Sequence, residues 1–174
     1  MMYTGGKLHR LVNDNFYNMI HDALDAKGWF GAGRRHQPVQ MTPEPIEDNQ
    51  IIPPNTIAVS DENINSEDIE LGSHLSEHRY QMYIDVYAES RAIGIDLAGD
   101  IKDLLEGRMT AINRDSPSFK VYDLSVQSAT PIELFTVQID EVELRREREF
   151  SNEYKKYWYS VGCVLTHAYQ SDLD

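Results

Sequence analysis

The stretch HRYQMYIDVYAESRAIGIDLAGDIKDLLEG, residues 78–107, decides the fold. Its first part alternates between two sets of side chains, as a strand with one buried face does. One face carries Tyr80, Met82, Ile84, Val86 and Ala88, and the other carries Arg79, Gln81, Tyr83, Asp85 and Glu89. After Ser90, apolar residues recur at three- and four-residue spacing, which is typical of an amphipathic helix. Ser90 can cap the start of that helix, and Gly107 can end it in a left-handed conformation. The stretch therefore predicts a strand of about ten residues leading directly into a helix of about sixteen.

The chain before this stretch predicts a second helix and an irregular connector. Apolar residues form one stripe from Lys7 to Lys27, and Gly28 ends the pattern. Trp29 and Phe30 follow; they either fold back on the core or contact another subunit. Residues 31–54 hold five of the seven prolines and show no period. We expect them to form an extended connector across the surface, or an arm that reaches a neighbour.

The remaining segments predict a sheet. Thr56–Ser60 has the pattern of a short strand, residues 61–68 that of a polar turn, and residues 69–72 that of a second short strand. Residues 119–126 predict another strand, and residues 131–167 predict a long hairpin that turns near Ser151–Asn152. The alternation changes phase near Asp140–Glu141, which predicts a β-bulge. The expected fold is one α+β domain over residues 1–174: a mostly antiparallel sheet with a long C-terminal β-hairpin and two helices packed on one face.

Composition narrows the classes of function. A formal net charge of −13 argues against a surface that grips nucleic-acid phosphates. The negative charge either keeps the protein soluble or lets a polyanion pass along its surface without binding. The sequence has no apolar run long enough to span a membrane and no signal-peptide pattern, so we expect a cytosolic product. The single cysteine, Cys163, lies at an apolar position of a strand pattern, where we expect a buried side chain.

Few residues suggest chemistry. His74, Glu77 and His78 match the H-x-x-E-H pattern of inverted zinc proteases, in which both histidines lie one helical turn apart. Here a strand pattern follows at once, so we expect solvated histidines in a loop and no metal. Asp96, Asp100 and Asp103 share one helix face, and we interpret that face as solvated. No phosphate-binding loop, dinucleotide fingerprint or cysteine zinc pattern occurs, and we expect neither a cofactor nor an enzymatic activity.

Two segments carry a resemblance to a known family. NTIAVSDE and IELGSHLSEHRYQMYIDVYAESRAIGIDLAGDIKDLLEGR resemble the tail terminator (tail completion or neck) proteins of long-tailed bacteriophages. The C-terminal YKKYWYSVGCVLTHAY also fits that layout, which is a helix, a strand, a polar loop, a strand leading into a helix, and closing strands. The resemblance covers most of residues 7–168. It rests on the order of the elements and on the pattern of residue types in them, and not on a catalytic motif.

The resemblance implies a structural virion protein that assembles in the host cytoplasm. Such proteins form a hexameric ring that caps the tail tube, stops its polymerisation and joins the head-side connector (stopper) protein, while genomic DNA passes through the lumen. Candidate contacts with subunits or partners are Trp29, Phe30, Arg79, Tyr83, Asp85, Tyr87, Arg145, Arg146, Arg148, Lys155 and Lys156. The alternatives are another head–tail connector component of the neck, a small metal-dependent hydrolase using His74, Glu77 and His78, and a monomeric binding module.

Overall fold

The computed structural model describes residues 5–31, 38–47, 52–68, 75–108, 117–124, 132–146 and 157–170. Two helices and six strands lie in these ranges. In chain order they are α1 (Gly5–Ala26), β1 (Gln40–Thr42), β2 (Thr56–Asp68), β3 (Leu75–Ala88), α2 (Arg91–Leu105), β4 (Ser118–Asp123), β5 (Ile132–Arg146) and β6 (Tyr157–Gln170).

The strands form one curled sheet in the order β1-β2-β3-β6-β5-β4. β1 is parallel to β2, and every other neighbouring pair is antiparallel. Buried residues of both helices share one hydrophobic cluster with one face of the sheet, including Phe16 of α1, Ile101 of α2 and Ile84 of β3. The predicted α+β class is confirmed, with its mostly antiparallel sheet and C-terminal hairpin.

The β3–α2 unit forms as its sequence predicts. Ile84 and Val86 are fully buried on the helix side of β3. The Ser90 hydroxyl accepts a hydrogen bond from the Ile93 backbone N–H at 3.3 Å, which satisfies one of the free donors at the helix start. Gly107 has φ of 69°, a left-handed conformation that ends the helical segment.

The predicted polar turn at residues 61–68 is wrong. These residues continue β2, and their pairing with β3 extends from Thr56 opposite Tyr87 to Asp68 opposite Ser76. A register shift between Asp61 and Asn63 interrupts this ladder. Residues that often form turns adopt strand geometry here because pairing with β3 satisfies their backbone N–H and C=O groups. The free energy gained from this pairing outweighs their local preference for a turn. The predicted second short strand, residues 69–72, lies outside the described residues.

The described part of the connector packs against the sheet. β1 adds a short parallel strand at the edge, beside β2. Val39 is buried in the main core, whereas Ile46 and Ile52 pack on the opposite side of the sheet with Ala58 and Tyr87. The connector therefore contacts both faces of the sheet.

The C-terminal hairpin contains the predicted bulge. The β5–β6 register shifts between Asp140 and Glu143, and Glu141 has φ of 53°, which accounts for the change of phase in the sequence. Val161 and Cys163 are fully buried on the helix side of β6, as predicted. The predicted turn at Ser151–Asn152 lies outside the described residues. Neither helix of the described chain is long and apolar enough to cross a membrane.

Candidate interaction surface on the polar face of the sheet

The side of the sheet that faces away from the helices carries a recessed polar surface, here called the polar face. Strand alternation places Gln81, Tyr83 and Asp85 of β3 on this side. Trp158, Ser160 and Gly162 of β6 lie beside them. β2 and β5 form the two rims, so the curl of the sheet makes the polar face a groove.

Tyr83 lies over the centre of this groove. It is paired with Gly162 across β3 and β6, and a Cβ on Gly162 would lie 3.7 Å from the Tyr83 ring. The Tyr83 ring therefore lies close to Gly162, at a distance that a Cβ could also accommodate. Desolvation, and then the Glu62 carboxylate that accepts its hydroxyl hydrogen bond, raise the pKa of Tyr83 above its usual range. Tyr83 is thus held as a neutral hydrogen-bond donor between two strands.

Asp85 and Trp158 form a second contact across the same two strands. The Trp158 indole Nε1 donates to Asp85 Oδ1 at 3.0 Å. The Trp158 ring stacks on Tyr87 with the ring centroids 5.5 Å apart. Ile46 and Ile52 of the connector cover Tyr87, which is only 3% exposed. The sequence predicts that Tyr87 faces outward as a contact residue. Its side chain does point away from the helices, but the connector buries it. Little of the side chain is therefore accessible to a partner.

Charged residues line the β5 rim. Arg79 pairs with Glu141 at 3.2 Å, and Arg145 pairs with Glu143 at 2.6 Å. The hydrogen bond from Arg145 lowers the pKa of Glu143 below its usual range. The lining of the groove thus contains one arginine, Arg145, and four carboxylates: Glu62, Asp85, Glu141 and Glu143. The groove is an acidic surface with an aromatic floor.

The structure brings five of the predicted contact residues together here. Tyr83, Asp85 and Arg145 line the groove, Tyr87 lies at its covered end, and Arg79 reaches the rim through Glu141. Arg146 is the last residue of β5 and is exposed. Arg148, Lys155 and Lys156 lie outside the described residues. Whether any of these residues contacts a partner remains a prediction.

Trp29 and Phe30 lie on the helix side, away from the groove. Trp29 is 5% exposed within the main core, and its Nε1 donates to Asp100 Oδ2 at 2.8 Å. Asp100 also pairs with Lys27 at 2.7 Å. Trp29 therefore folds back on the core, and its side chain has little surface for another subunit. Phe30 is partly buried and stacks on His21 with the ring centroids 4.6 Å apart.

Glu62 and Trp158 also line the groove, although neither is among the predicted contact residues. Glu62 was assigned to a turn, and no side-chain period marks it because the strand there is polar. Trp158 could have been found: it alternates with Tyr157 and Tyr159 in the return strand, so it had to face away from the core.

Only part of the His-Glu-His pattern lies within the described residues. His74 lies outside the described residues, while Glu77 and His78 are neighbours on β3 and so point to opposite faces. No group of three His, Cys, Asp or Glu in the described ranges is placed to hold a metal ion. His78 instead stacks on His167 of β6, with the ring centroids 5.1 Å apart.

This pair belongs to a set of stacked rings at one end of the core, here called the histidine stack: His9, His78, Tyr80, Phe135 and His167. The Tyr80 hydroxyl and His167 Nε2 share a hydrogen bond of 3.0 Å. Burial raises the pKa of Tyr80 to about 12. Burial, with a smaller contribution from His78, lowers the pKa of His167 to about 4. Tyr80 and His167 are therefore both neutral near pH 7.

No protein-family model matches the chain, and no curated protein matches it.

Proposed function

We propose that this chain is a structural virion protein of a long-tailed bacteriophage, which caps the tail tube as a hexameric ring. In this role it terminates tail polymerisation and forms the surface that joins the head-side connector protein. The proposal starts from the resemblance of residues 55–108 and the C-terminal strands to tail terminator proteins.

The observation that carries the proposal furthest is the order and placement of the elements. An N-terminal helix precedes β2, β3 leads directly into α2, and three strands close the chain in a single sheet. This order agrees with the layout that the resemblance implies, except that residues 61–68, expected as a polar turn, continue β2. Both helices contribute to one core, so the opposite face of the sheet is left for polar and charged side chains. Such a face supports a role in assembly.

The charge of the chain supports a place around DNA. The net charge is −13, and the groove alone carries Glu62, Asp85, Glu141 and Glu143. Carboxylates that face a channel repel phosphates, so DNA can slide without binding. We therefore propose that the polar face contributes to the inner wall of the ring. A density map of the assembled ring with a neutral or basic inner wall would contradict this part of the proposal.

Imaging of intact particles tests the function directly. We expect density for this chain between head and tail, in contact with the last ring of the tube. Particles made without the chain should contain tubes of uncontrolled length and unjoined heads. If the chain instead contacts only the head-side ring while tube length stays normal, it is another component of the neck. If it is absent from particles, the proposal is wrong.

A further inference from the structure

A cavity of about 350 Å³ lies between α1 and β2, on the side of the sheet that faces the helices. It is here called the α1 cavity. α1 forms one wall and β2 the other, while Met82 of β3, Pro43 of the connector and Leu124 after β4 line the remaining sides. Ligand-binding cavities begin at about 300 Å³, so the α1 cavity has room for one long side chain or a small molecule.

The inner part of the α1 cavity is apolar. Its apolar lining residues are Pro43, Val59, Met82 and Leu124. Val59 and Met82 belong to the buried core, whereas Leu124 is 48% exposed and lies nearer the solvent. A chain of methylene groups inserted here would leave water for contact with apolar side chains, which favours binding.

The other lining residues are polar, and two of them are acidic: Asn13, Asp14, Tyr17, Asn18, Ser60 and Asp61. No lysine, arginine or histidine occurs among the described residues that line the cavity. Two carboxylates in a lining without a basic side chain favour a positively charged occupant. The net charge of −13 over the whole chain adds to this attraction.

One hydrogen-bond position in the cavity wall is unfilled. Asn13 Oδ1 is buried, and within the described part of the chain it has no hydrogen-bond partner. The other end of the same amide, Nδ2, lies 3.2 Å from His9 Nε2 of α1. Buried polar atoms are nearly always paired, so the unpaired oxygen indicates an occupant that donates a hydrogen bond. This observation is independent of the charge of the lining.

The existing contacts of the two carboxylates leave them able to accept further hydrogen bonds. Asp61 pairs with His9 at 2.8 Å, and Asp14 pairs with Arg10 at 3.6 Å. The Arg10 side chain is 82% exposed, so solvent weakens the second pair. A carboxylate has about four acceptor positions, so each can add a donor without losing the first.

We propose that the α1 cavity binds the side chain of one lysine or arginine from a second polypeptide. The methylene stem lies against Val59 and Met82, and the cationic group donates hydrogen bonds to Asn13, Asp14 and Asp61. Lysine and arginine combine an apolar stem with a charged end, which matches the apolar inner part and the acidic wall. Leu124, exposed at the opening, offers apolar surface to the partner's neighbouring residues. The inference goes beyond the proposed function and does not depend on it.

Titration of the full chain with blocked amino acids tests the cavity. The probes are N-acetyl-lysine methylamide and N-acetyl-arginine methylamide, and the control is N-acetyl-norleucine methylamide, which has an apolar side chain without charge. Backbone amide resonances in NMR spectra report the site. We expect saturable shifts at Asn13, Tyr17 and Ser60, with a Kd of about 1–10 mM for the basic probes, as is typical of such small ligands. The norleucine probe should bind at least about tenfold more weakly.

A matched pair of variants tests the role of charge. Asp14→Lys places an ammonium group in the cavity wall, so both basic probes should bind at least about tenfold more weakly. Asp22→Lys makes the same change of net charge on the exposed face of α1, outside the cavity, and should bind them as the wild type does. Circular dichroism confirms that both variants are folded.

Four results would overturn the proposal. They are the absence of saturable shifts at the cavity residues up to about 50 mM probe, equal binding of the norleucine probe, equal losses in the two variants, and binding of n-butylammonium without binding of either blocked amino acid. The last result would assign the cavity to a small free amine instead of a polypeptide.

The titration and particle imaging give separate answers. If the basic probes bind as expected but the chain is absent from particles, the cavity assignment stands and the proposed function is wrong. If particles contain the ring but the probes do not bind, the function stands and the cavity assignment is wrong.

Discussion

The side-chain amide of Asn15 makes both hydrogen bonds that a neighbouring strand would make to Tyr122. Asn15 Nδ2 donates to the Tyr122 carbonyl at 3.0 Å, and Asn15 Oδ1 accepts from the Tyr122 N–H at 3.1 Å. Tyr122 lies on β4 at the edge of the sheet, where the β4–β5 register shifts after Val121. A helix residue thus satisfies the backbone of an edge strand and fixes α1 against it.

Replacement of Asn15 by alanine should destabilise the fold by about 1–3 kcal/mol, because two backbone groups of Tyr122 then lose their partners. Asn15 is 7% exposed, so water cannot easily replace the amide. Urea unfolding measures the loss. Asn18→Ala is the matched control on the exposed face of α1, and it should change stability by less than about 0.5 kcal/mol. Equal effects of the two substitutions would contradict the role given to Asn15.

The two glycines of α2 should respond in opposite ways to alanine. A Cβ on Gly94 would lie 2.5 Å from the ring of Tyr159, which is buried in the core and has no room to move aside. Gly94→Ala should therefore destabilise by about 1–3 kcal/mol. A Cβ on Gly99 meets nothing within 4 Å. Gly99→Ala should stabilise by about 0.5–1 kcal/mol, since alanine loses less backbone entropy in a helix. Thermal unfolding of both variants provides the comparison, and a stable Gly94→Ala protein would show that the close approach of α2 to β6 is not required.

Two of the three aspartates of α2 should differ in their effect on stability, because Asp100 is structural and Asp96 is solvated. Asp100 accepts hydrogen bonds from the Trp29 indole and from Lys27, whereas Asp96 is exposed on the same helix. Asp100→Ala removes the acceptor of a buried indole and should cost about 1–3 kcal/mol. Asp96→Ala should cost less than about 0.5 kcal/mol. Near-ultraviolet circular dichroism should also report the changed environment of Trp29 in Asp100→Ala but not in Asp96→Ala.

The free energy of unfolding should decrease as the pH is lowered, because His167 of the histidine stack is buried in its neutral form. Burial lowers the pKa of His167 to about 4 in the folded chain, below its ordinary value of 6.5. Between these values the unfolded chain binds more protons than the folded chain, so stability decreases as pH falls from about 6.5 to 4. The lowered pKa of His78 acts in the same direction.

The measurement is the free energy of unfolding at several pH values for the wild type and for His167→Gln. The variant loses the ring contacts of His167 with His78, Tyr80 and Phe135, so it should be less stable at pH 8, but its stability should decrease less steeply between pH 6.5 and 4. Parallel curves for the two proteins would show that His167 does not cause the acid sensitivity.

Much of the fold was predictable from local pattern. A single change of phase in the sequence predicts the bulge in β5. Side chains in a strand alternate strictly between the two faces, so one extra residue moves every later side chain to the other face. The burial of Trp29 was one of two predicted outcomes. The position of Asp100 on α2 decides between burial and exposure of Trp29, because this carboxylate accepts the hydrogen bond that a buried indole N–H requires.

The polar face was predictable only in part. Alternation placed Tyr83 and Asp85 on the side away from the core, and the same rule applied to Trp158 would have added its partner. Glu62 could not be found in this way, because the sequence of residues 61–68 is mostly polar and shows no alternation of apolar and polar residues. The burial of Tyr87 was also missed, since nothing in the connector's sequence tells which face of the sheet Ile46 and Ile52 cover.

The sequence by itself determined the β3–α2 unit, α1, and the inward face of β6. Each has an apolar period that matches its own backbone geometry, and Ser90, Gly28 and Gly107 mark the helix ends through local conformation. Only the tertiary structure decided the length of β2, the path of the connector and the groove between the rims. These features depend on backbone pairing and side-chain contacts between segments far apart in the chain, and such contacts leave no local period in the sequence.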